Sequence, residues 1–222
     1  MQERKRPMPV GIEDFKKLVQ GEYYFVDKTR FIRDLLDIRT DVTLITRPRR
    51  FGKTLALSML RYFFTMEDAE EHRKLFEGLD IERAGEKYMR EQGTRPVVFL
   101  TLKDVQAGKF SGIMAKLSEI LRKLYGKFAW LQESSNLSVQ EKKYFSDILN
   151  ETGDTDKMQF ALSNLMEWFE KHYVRSPFSS WTSMMPPSSL PGKTAITRNV
   201  STSCGASWAP LSRRIPPCIL PY

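Results

Sequence analysis

The sequence predicts an α/β fold with a mainly parallel sheet flanked by helices, followed by an irregular tail. Three observations lead to this prediction. Short β-branched runs alternate with stretches in which apolar residues recur at helical spacing. A basic loop that contains a glycine separates one such run from the helical pattern after it. Residues 174–222 contain no Asp or Glu but hold eight of the 12 prolines.

The predicted elements follow one another between residues 23 and 173. Compact β-branched or aromatic runs predict strands at 23–26, 41–46 and 96–102. Apolar residues at helical spacing predict helices at 27–36, 53–65, 110–128 and 156–173. Because strands and helices alternate, we expect parallel pairing with helices on the faces of the sheet. The chain then divides into a body, residues 1–173, and a tail, residues 174–222.

Charge and cysteine content limit the function classes. The net charge is +8, yet the body holds 30 basic against 27 acidic residues, so the excess is mostly in the tail. A nearly neutral body does not by itself predict a nucleic-acid partner. Cys204 and Cys218 are too few for a disulfide framework or a four-ligand zinc site. There is no apolar run of 18 residues and no apolar signal segment, so we expect a cytoplasmic protein without membrane association.

The segment TLITRPRRFGKTLALSML carries the main chemical signal. It places Gly52, Lys53 and Thr54 between a predicted strand and a predicted helix, where backbone N–H groups can face a phosphate. We expect Lys53 to reach the terminal phosphates of ATP and the Thr54 hydroxyl to bind Mg²⁺. The match to the P-loop pattern G-x-x-x-x-G-K-[ST] is incomplete, because Arg47 stands at the first glycine. A basic turn before an ordinary helix is the alternative interpretation.

The remaining loop residues extend the predicted nucleotide site. Arg49, Arg50 and Phe51 precede the glycine directly. The two guanidinium groups can donate to phosphate oxygens or can be solvated loop charges, and for Arg50 the solvated interpretation is favoured. Arg47 can pair with a phosphate or with a carboxylate of another strand.

Several ordered motifs together resemble one protein family. They are Pro9, Gly11 and Phe15 in PVGIEDF, then YFVDKT, TRPRRFGKT with the LSML after it, and VVFLTLKDV. From about residue 9 to residue 173, the chain resembles the N-terminal part of the prokaryotic AAA-ATPase-like proteins, which often carry a nuclease-like domain of the PD-(D/E)XK type at the C-terminus. The loop of that family itself reads RPRRFGKT. The resemblance implies a P-loop NTPase fold and ATP binding through Lys53 and Thr54.

The resemblance also implies an acidic strand that this sequence lacks. In the family, an apolar strand ending in Asp-Glu follows the helix that corresponds to residues 156–173, and it holds Mg²⁺ and polarises water. Asp104 follows a predicted strand, but Lys103 beside it and its early position favour a helix cap over a metal ligand. We therefore expect a fragment that binds ATP and lacks the acid needed for hydrolysis.

The genetic code offers an origin for the tail. Trp181, Met184 and Met185 each have a single codon, and the codons for Thr182, Pro186 and Pro187 are fixed at two positions. With AGY at Ser183, reading from one base earlier yields an apolar residue, then Asp, then Glu, Lys or Gln, then Tyr or His, Asp and Ala. With TCN codons at residues 179 and 180, three more apolar residues precede these. A frameshift between residues 173 and 177 is therefore inferred, and a genuine Pro/Ser-rich tail is the alternative.

A different class of function remains open at this point. A non-enzymatic DNA-associated module could use RPRR and the Lys/Arg-rich helices on the phosphate backbone, which makes nucleic acid a second candidate partner beside ATP. The oligomeric state is not predicted. His72 and His172 are predicted to be solvated on charged helix surfaces.

Overall fold

The computed structural model describes residues 6–38, 40, 42–46, 51–102, 105, 109–150, 155–173, 176–183 and 194–199. The helices are α1 (Phe15–Gln20), α2 (Arg30–Ile38), α3 (Lys53–Phe64), α4 (Ala69–Arg73), α5 (Asp80–Arg83), α6 (Glu86–Met89), α7 (Phe110–Lys127), α8 (Val139–Leu149) and α9 (Thr155–Tyr173). The strands are β1 (Val42–Thr46), β2 (Val97–Leu102), β3 (Phe178–Ser183) and β4 (Thr194–Asn199). Within these ranges, no helix combines the length and apolar character that a membrane-spanning segment requires.

The four strands form one sheet in the order β1-β4-β3-β2. β3 pairs in parallel with β2, whereas β4 is antiparallel to both β1 and β3. Ile45, Ala195, Thr182 and Thr101 lie side by side across the sheet. Since β1, β2 and β3 point the same way, the segments that follow them leave the sheet at the same end, where the carboxyl ends of these strands lie. One of those segments is the predicted phosphate loop.

α3 covers one face of the sheet. The side chains on its apolar face are buried, namely Leu57, Leu60, Phe63 and Phe64. Phe64 stacks on Phe178 of β3, with ring centroids 4.5 Å apart. Phe15 of α1 and Phe76 extend the same cluster. Each fully buried side chain of this size contributes about 1.5–3 kcal/mol, so this cluster is a main source of stability.

α7, α8 and α9 pack on the other side of β2. Val98 and Leu100 point toward these helices and are buried, whereas Phe99 lies against the α3 cluster. Tyr125 of α7 is fully buried there and donates a hydrogen bond to the Ala161 carbonyl of α9 at 2.7 Å. Helices on both faces of the sheet confirm the predicted α/β class.

Most predicted elements are found within one residue of their predicted bounds, but the strand at 23–26 is not formed. Two of its backbone donors have partners outside the sheet, because Tyr23 N donates to Leu18 O and Tyr24 N donates to Pro7 O. Phe25 packs edge-on against a ring of α1 with centroids 6.1 Å apart. The aromatic run therefore supplies a core side chain instead of a strand.

Within the tail predicted to be irregular, residues 178–183 and 194–199 form β3 and β4, which corrects the prediction for these two segments. Residues 174–175, 184–193 and 200–222 lie outside the described residues. β1 and β2 do not pair with each other. Without β4 and β3, the backbone groups of β1 and β2 that face the space between them would be unpaired. An extended segment satisfies those groups whatever its side chains are. Because β4 runs opposite to its neighbours, the sheet is mixed instead of mainly parallel. The predicted boundary at residue 173 lies between α9 and β3.

Candidate functional site

β1 ends at the same end of the sheet as β2 and β3, and α3 is the next helix in the chain. Arg47 to Arg50, which include the predicted phosphate ligands Arg49 and Arg50, lie outside the described residues. Gly52 is the N-cap of α3 in a left-handed conformation, with φ 71° and ψ 22°. A Cβ at this position would meet no atom within 4 Å, so backbone conformation and not crowding favours glycine.

The first turn of α3 has the features of an anion site. Gly52 O accepts the first helical hydrogen bond, from Ala56 N at 2.9 Å. Among the described residues, no side chain caps this turn and no acidic residue lies in it. Its N–H groups and the positive end of the helix dipole therefore favour a negatively charged ligand. Lys53 and Thr54 are half-buried at this end, and Phe51 is 59% exposed.

Contacts with α1 hold α3 in place. Ser58 Oγ accepts a hydrogen bond from Phe15 N at 3.0 Å, and the Tyr62 hydroxyl donates to Asp14 Oδ2 at 2.9 Å. Burial, followed by the bond to Asp14, raises the pKa of Tyr62 to about 12, so the hydroxyl keeps its proton. Sequence reasoning did not predict these contacts between α1 and α3. Asp14 has a local signal, since it is the N-cap of α1, but its contact with α3 has none.

The predicted cap at Asp104 is wrong. α7 begins at Phe110, its N-cap is Lys109, and no side chain caps its first turn among the described residues. α7 begins where the sequence pattern predicted, and Asp104 lies too early in the chain to cap a helix that starts at Phe110. Asp104 itself lies outside the described residues, and its metal-ligand alternative stays a prediction.

β3 directly follows α9, where the resemblance places the acidic strand. Its last two residues are Thr182 and Ser183, which pair with the carboxyl end of β2 and carry no carboxylate. Ser179 and Ser180 of the same strand are buried, and their Oγ atoms have no hydrogen-bond partner among the described residues. An unpaired buried hydroxyl costs about 1–3 kcal/mol, so this strand carries polar groups at apolar positions.

His72 is not solvated as predicted, and His172 is only partly so. His72 is 5% exposed, its ring packs against Tyr62 with centroids 4.8 Å apart, and burial lowers its pKa. His172 is half-buried, with Nδ1 2.8 Å from Ser134 Oγ and its ring 5.0 Å from that of Trp130. Charged neighbours in the sequence indicated that both histidines are exposed. In the structure, the His72 ring packs against Tyr62 of α3, and the His172 ring packs against Trp130, which is distant in the chain.

Comparison with known proteins identifies the class. A family model described as predicted AAA-ATPase, AAA-ATPase-like, matches residues 9–174, and the chain belongs to this family. The chain is also similar to the "Uncharacterized protein in vnfD 5'region" of Azotobacter chroococcum mcd 1, at 40% identity over 78 residues. That alignment covers 35% of this chain and 14% of the relative. No solved structure matches significantly.

Proposed function

We propose that the chain binds ATP with Mg²⁺ at the N-terminus of α3. The observation that carries this proposal is the left-handed Gly52, followed directly by Lys53 and Thr54 in an uncapped first turn at the end of β1. The N–H groups would hold phosphate oxygens, Lys53 would neutralise the terminal phosphates, and Thr54 would provide one Mg²⁺ ligand. Arg49 and Arg50 are proposed as further phosphate donors. Membership of a predicted ATPase family supports the assignment.

In this proposal, hydrolysis is close to the background rate. Mg²⁺ in phosphoryl-transfer sites is held by one or two protein carboxylates together with the phosphates, and a positioned group must orient the attacking water. β3 ends in Thr182 and Ser183, which provide neither group. Binding of the nucleotide and its turnover are therefore separate properties here, and the binding is proposed to be weak.

The proposed cause is a change of reading frame after residue 173. Three observations support it. The family match stops at residue 174, within the interval inferred from the codons. The shifted reading puts Asp at position 182, at the carboxyl end of a strand parallel to β2. With TCN codons at residues 179 and 180, it also replaces the buried, unpartnered Ser179 and Ser180 by apolar residues. The product of the shifted frame thus suits the place that β3 occupies.

Calorimetric titration with MgATP tests the binding. Lys53→Ala is expected to lower the affinity about tenfold or more, because a hydrogen bond to a charged group contributes about 1.5–3 kcal/mol. Lys127→Ala, at an exposed lysine of α7, is the matched control and should leave the affinity unchanged. Equal affinity in the wild type and Lys53→Ala would contradict the site. Strongly salt-dependent duplex binding that ATP does not affect would favour the DNA-associated alternative.

Steady-state hydrolysis tests the missing acid and the reading frame together. We expect the 222-residue chain to be near background, and a chain whose sequence after residue 173 follows the shifted frame to be faster. The matched control is the repaired chain with Asn in place of the restored Asp at position 182, which should fall back to background. If the original and repaired chains hydrolyse ATP equally fast, Asp104 or another acid serves the metal, and the frameshift explanation is wrong. Resequencing the codons for residues 173–187 checks the frame directly.

A further inference from the structure

Three potential metal ligands cluster at the start of α4. Asp68 is the N-cap of this helix, and Glu71 and His72 follow three and four residues later, on the same side of the turn. One ligand atom from each side chain lies within 4.8 Å of the others. Asp68 and Glu71 are exposed, whereas His72 is buried. The two carboxylates therefore form a solvent-facing rim above an imidazole.

His72 distinguishes this cluster from an ordinary group of surface acids. The residue is 5% exposed, and its Nδ1 is buried without a hydrogen-bond partner among the described residues. An unsatisfied buried nitrogen is unfavourable, and a bound cation would satisfy it. Tyr62 packs against the ring, and its hydroxyl is fixed by Asp14. The imidazole is therefore held in one place before any ligand arrives.

Charged groups of both signs lie around the ring. Burial and the nearby Lys16 ammonium lower the pKa of His72, while Asp68 and Glu71 act in the opposite direction with smaller effects. Lys16 Nζ lies 2.9 Å from a carboxylate oxygen of Glu71. A cation at the cluster would compete with this ammonium for Glu71.

We propose that Asp68, Glu71 and His72 bind one borderline divalent cation, with Zn²⁺ as the best match. One imidazole nitrogen with two carboxylate oxygens suits Zn²⁺, whereas Mg²⁺ and Ca²⁺ prefer sets made of oxygen alone. Ligand atoms about 2.0–2.1 Å from a tetrahedral ion lie about 3.3 Å apart, a distance that rotation of the exposed carboxylates can reach. Water can take a further position, because the rim is open.

This site is separate from the nucleotide site. α4 follows the C-terminal end of α3, whereas the phosphate-binding turn is at its N-terminal end. The helix between them has 12 residues and so spans about 18 Å. Zinc binding therefore does not depend on whether the chain binds ATP, and the two proposals can fail independently.

Competition with a chromophoric chelator measures zinc binding directly. The experiment uses the full chain with both cysteines replaced, Cys204→Ser and Cys218→Ser, so that thiolates of the tail cannot bind the metal. This chain is the parent of all variants below. We expect one Zn²⁺ per chain. His72→Gln should lower the affinity at least about tenfold, because removing even an outer-shell partner of a metal ligand has an effect of that size. Asp68→Asn should weaken binding without unfolding the chain, because Asn tolerates the left-handed conformation of residue 68, with φ 51°.

Two controls and one gain of affinity make the test specific. Glu70→Gln, at the neighbouring exposed acid of α4, and His172→Gln, at the other histidine, should leave the affinity unchanged. Lys16→Met should increase it by up to about fivefold, because the metal no longer displaces a surface ion pair. Absence of zinc binding at millimolar Zn²⁺, or binding that is the same in Asp68→Asn and His72→Gln as in the parent chain, would overturn the proposal.

Discussion

Ser58 and Ser180 are both buried, but their hydroxyl groups have opposite surroundings. Ser58 Oγ accepts a hydrogen bond from Phe15 N and so joins α3 to α1. Ser180 Oγ has no partner among the described residues, although the residue is completely buried in β3. The same side chain is therefore expected to stabilise the fold at one position and to destabilise it at the other.

Substitution by alanine tests this difference. Ser180→Ala should raise the free energy of unfolding by about 1 kcal/mol, because it removes an unsatisfied hydroxyl without leaving a new unpaired group. Ser58→Ala should lower it by about 1–2 kcal/mol, since Phe15 N loses its acceptor. Urea unfolding measures both. A loss of stability in Ser180→Ala would show that its hydroxyl has a partner, and would remove one support for the frameshift.

At the level of elements, one carboxylate joins α8 to α9. Glu141 forms a capping box with Ser138, in which each side chain bonds the backbone N–H of the other residue. Its second oxygen accepts bonds from Lys171 Nζ at 2.6 Å and Trp168 Nε1 at 3.2 Å. The bond from Lys171, supported by those from Ser138, lowers the pKa of Glu141 to about 2.

Glu141→Gln isolates the charge, because glutamine can keep the capping box. A carboxyl group whose pKa is about 2 in the folded chain and about 4.3 when unfolded stabilises the fold above about pH 4.3. That contribution is lost as the pH falls toward 2. At pH 7 the free energy of unfolding should be higher in the wild type than in the variant by up to about 1 kcal/mol. The difference is no larger because the ion pair is partly exposed. Urea unfolding from pH 7 to pH 2 should show the gap closing, and a constant gap would refute the coupling.

In the whole molecule, the tail connects the two parts of the sheet. β1 and β2 have no direct pairing, and β4 and β3 join them. Phe178 of β3 is fully buried and stacks on Phe64, so the tail also contributes to the α3 cluster. Val42 and Leu44 on β1 remain 44% and 37% exposed. The body alone would therefore expose strand edges together with apolar surface.

A chain that ends at Tyr173 is expected to aggregate. It loses the burial of Phe178, which contributes about 1.5–3 kcal/mol, and all backbone pairing of β1 and β2 with β4 and β3. A chain that ends at Asn199 keeps both strands and is the matched control, expected to behave like the full chain. Size-exclusion chromatography and thermal unfolding distinguish them. A monomeric, cooperatively unfolding 1–173 chain would contradict the role assigned to the tail.

The elements that sequence patterns predicted depend on local spacing. The β-branched runs of β1 and β2, and the apolar periodicity of α3, α7 and α9, can be recognised from residues that are close together in the chain, whatever they pack against. The capping box of Ser138 and Glu141 was equally local and could have predicted the start of α8. The short helices α4, α5 and α6 have four or five residues each, too few for a periodic pattern to be recognised.

By itself, the sequence determined the α/β class, the turn at Gly52 with Lys53 and Thr54 after it, and the resemblance that the family match confirmed. These features depend on residues that are close together in the chain. Only the tertiary structure decided that the tail fills the space between β1 and β2, and that His72 is buried beside two carboxylates. The physical reason is that strand pairing uses backbone groups common to all sequences, while the burial of a side chain depends on segments that are distant in the chain.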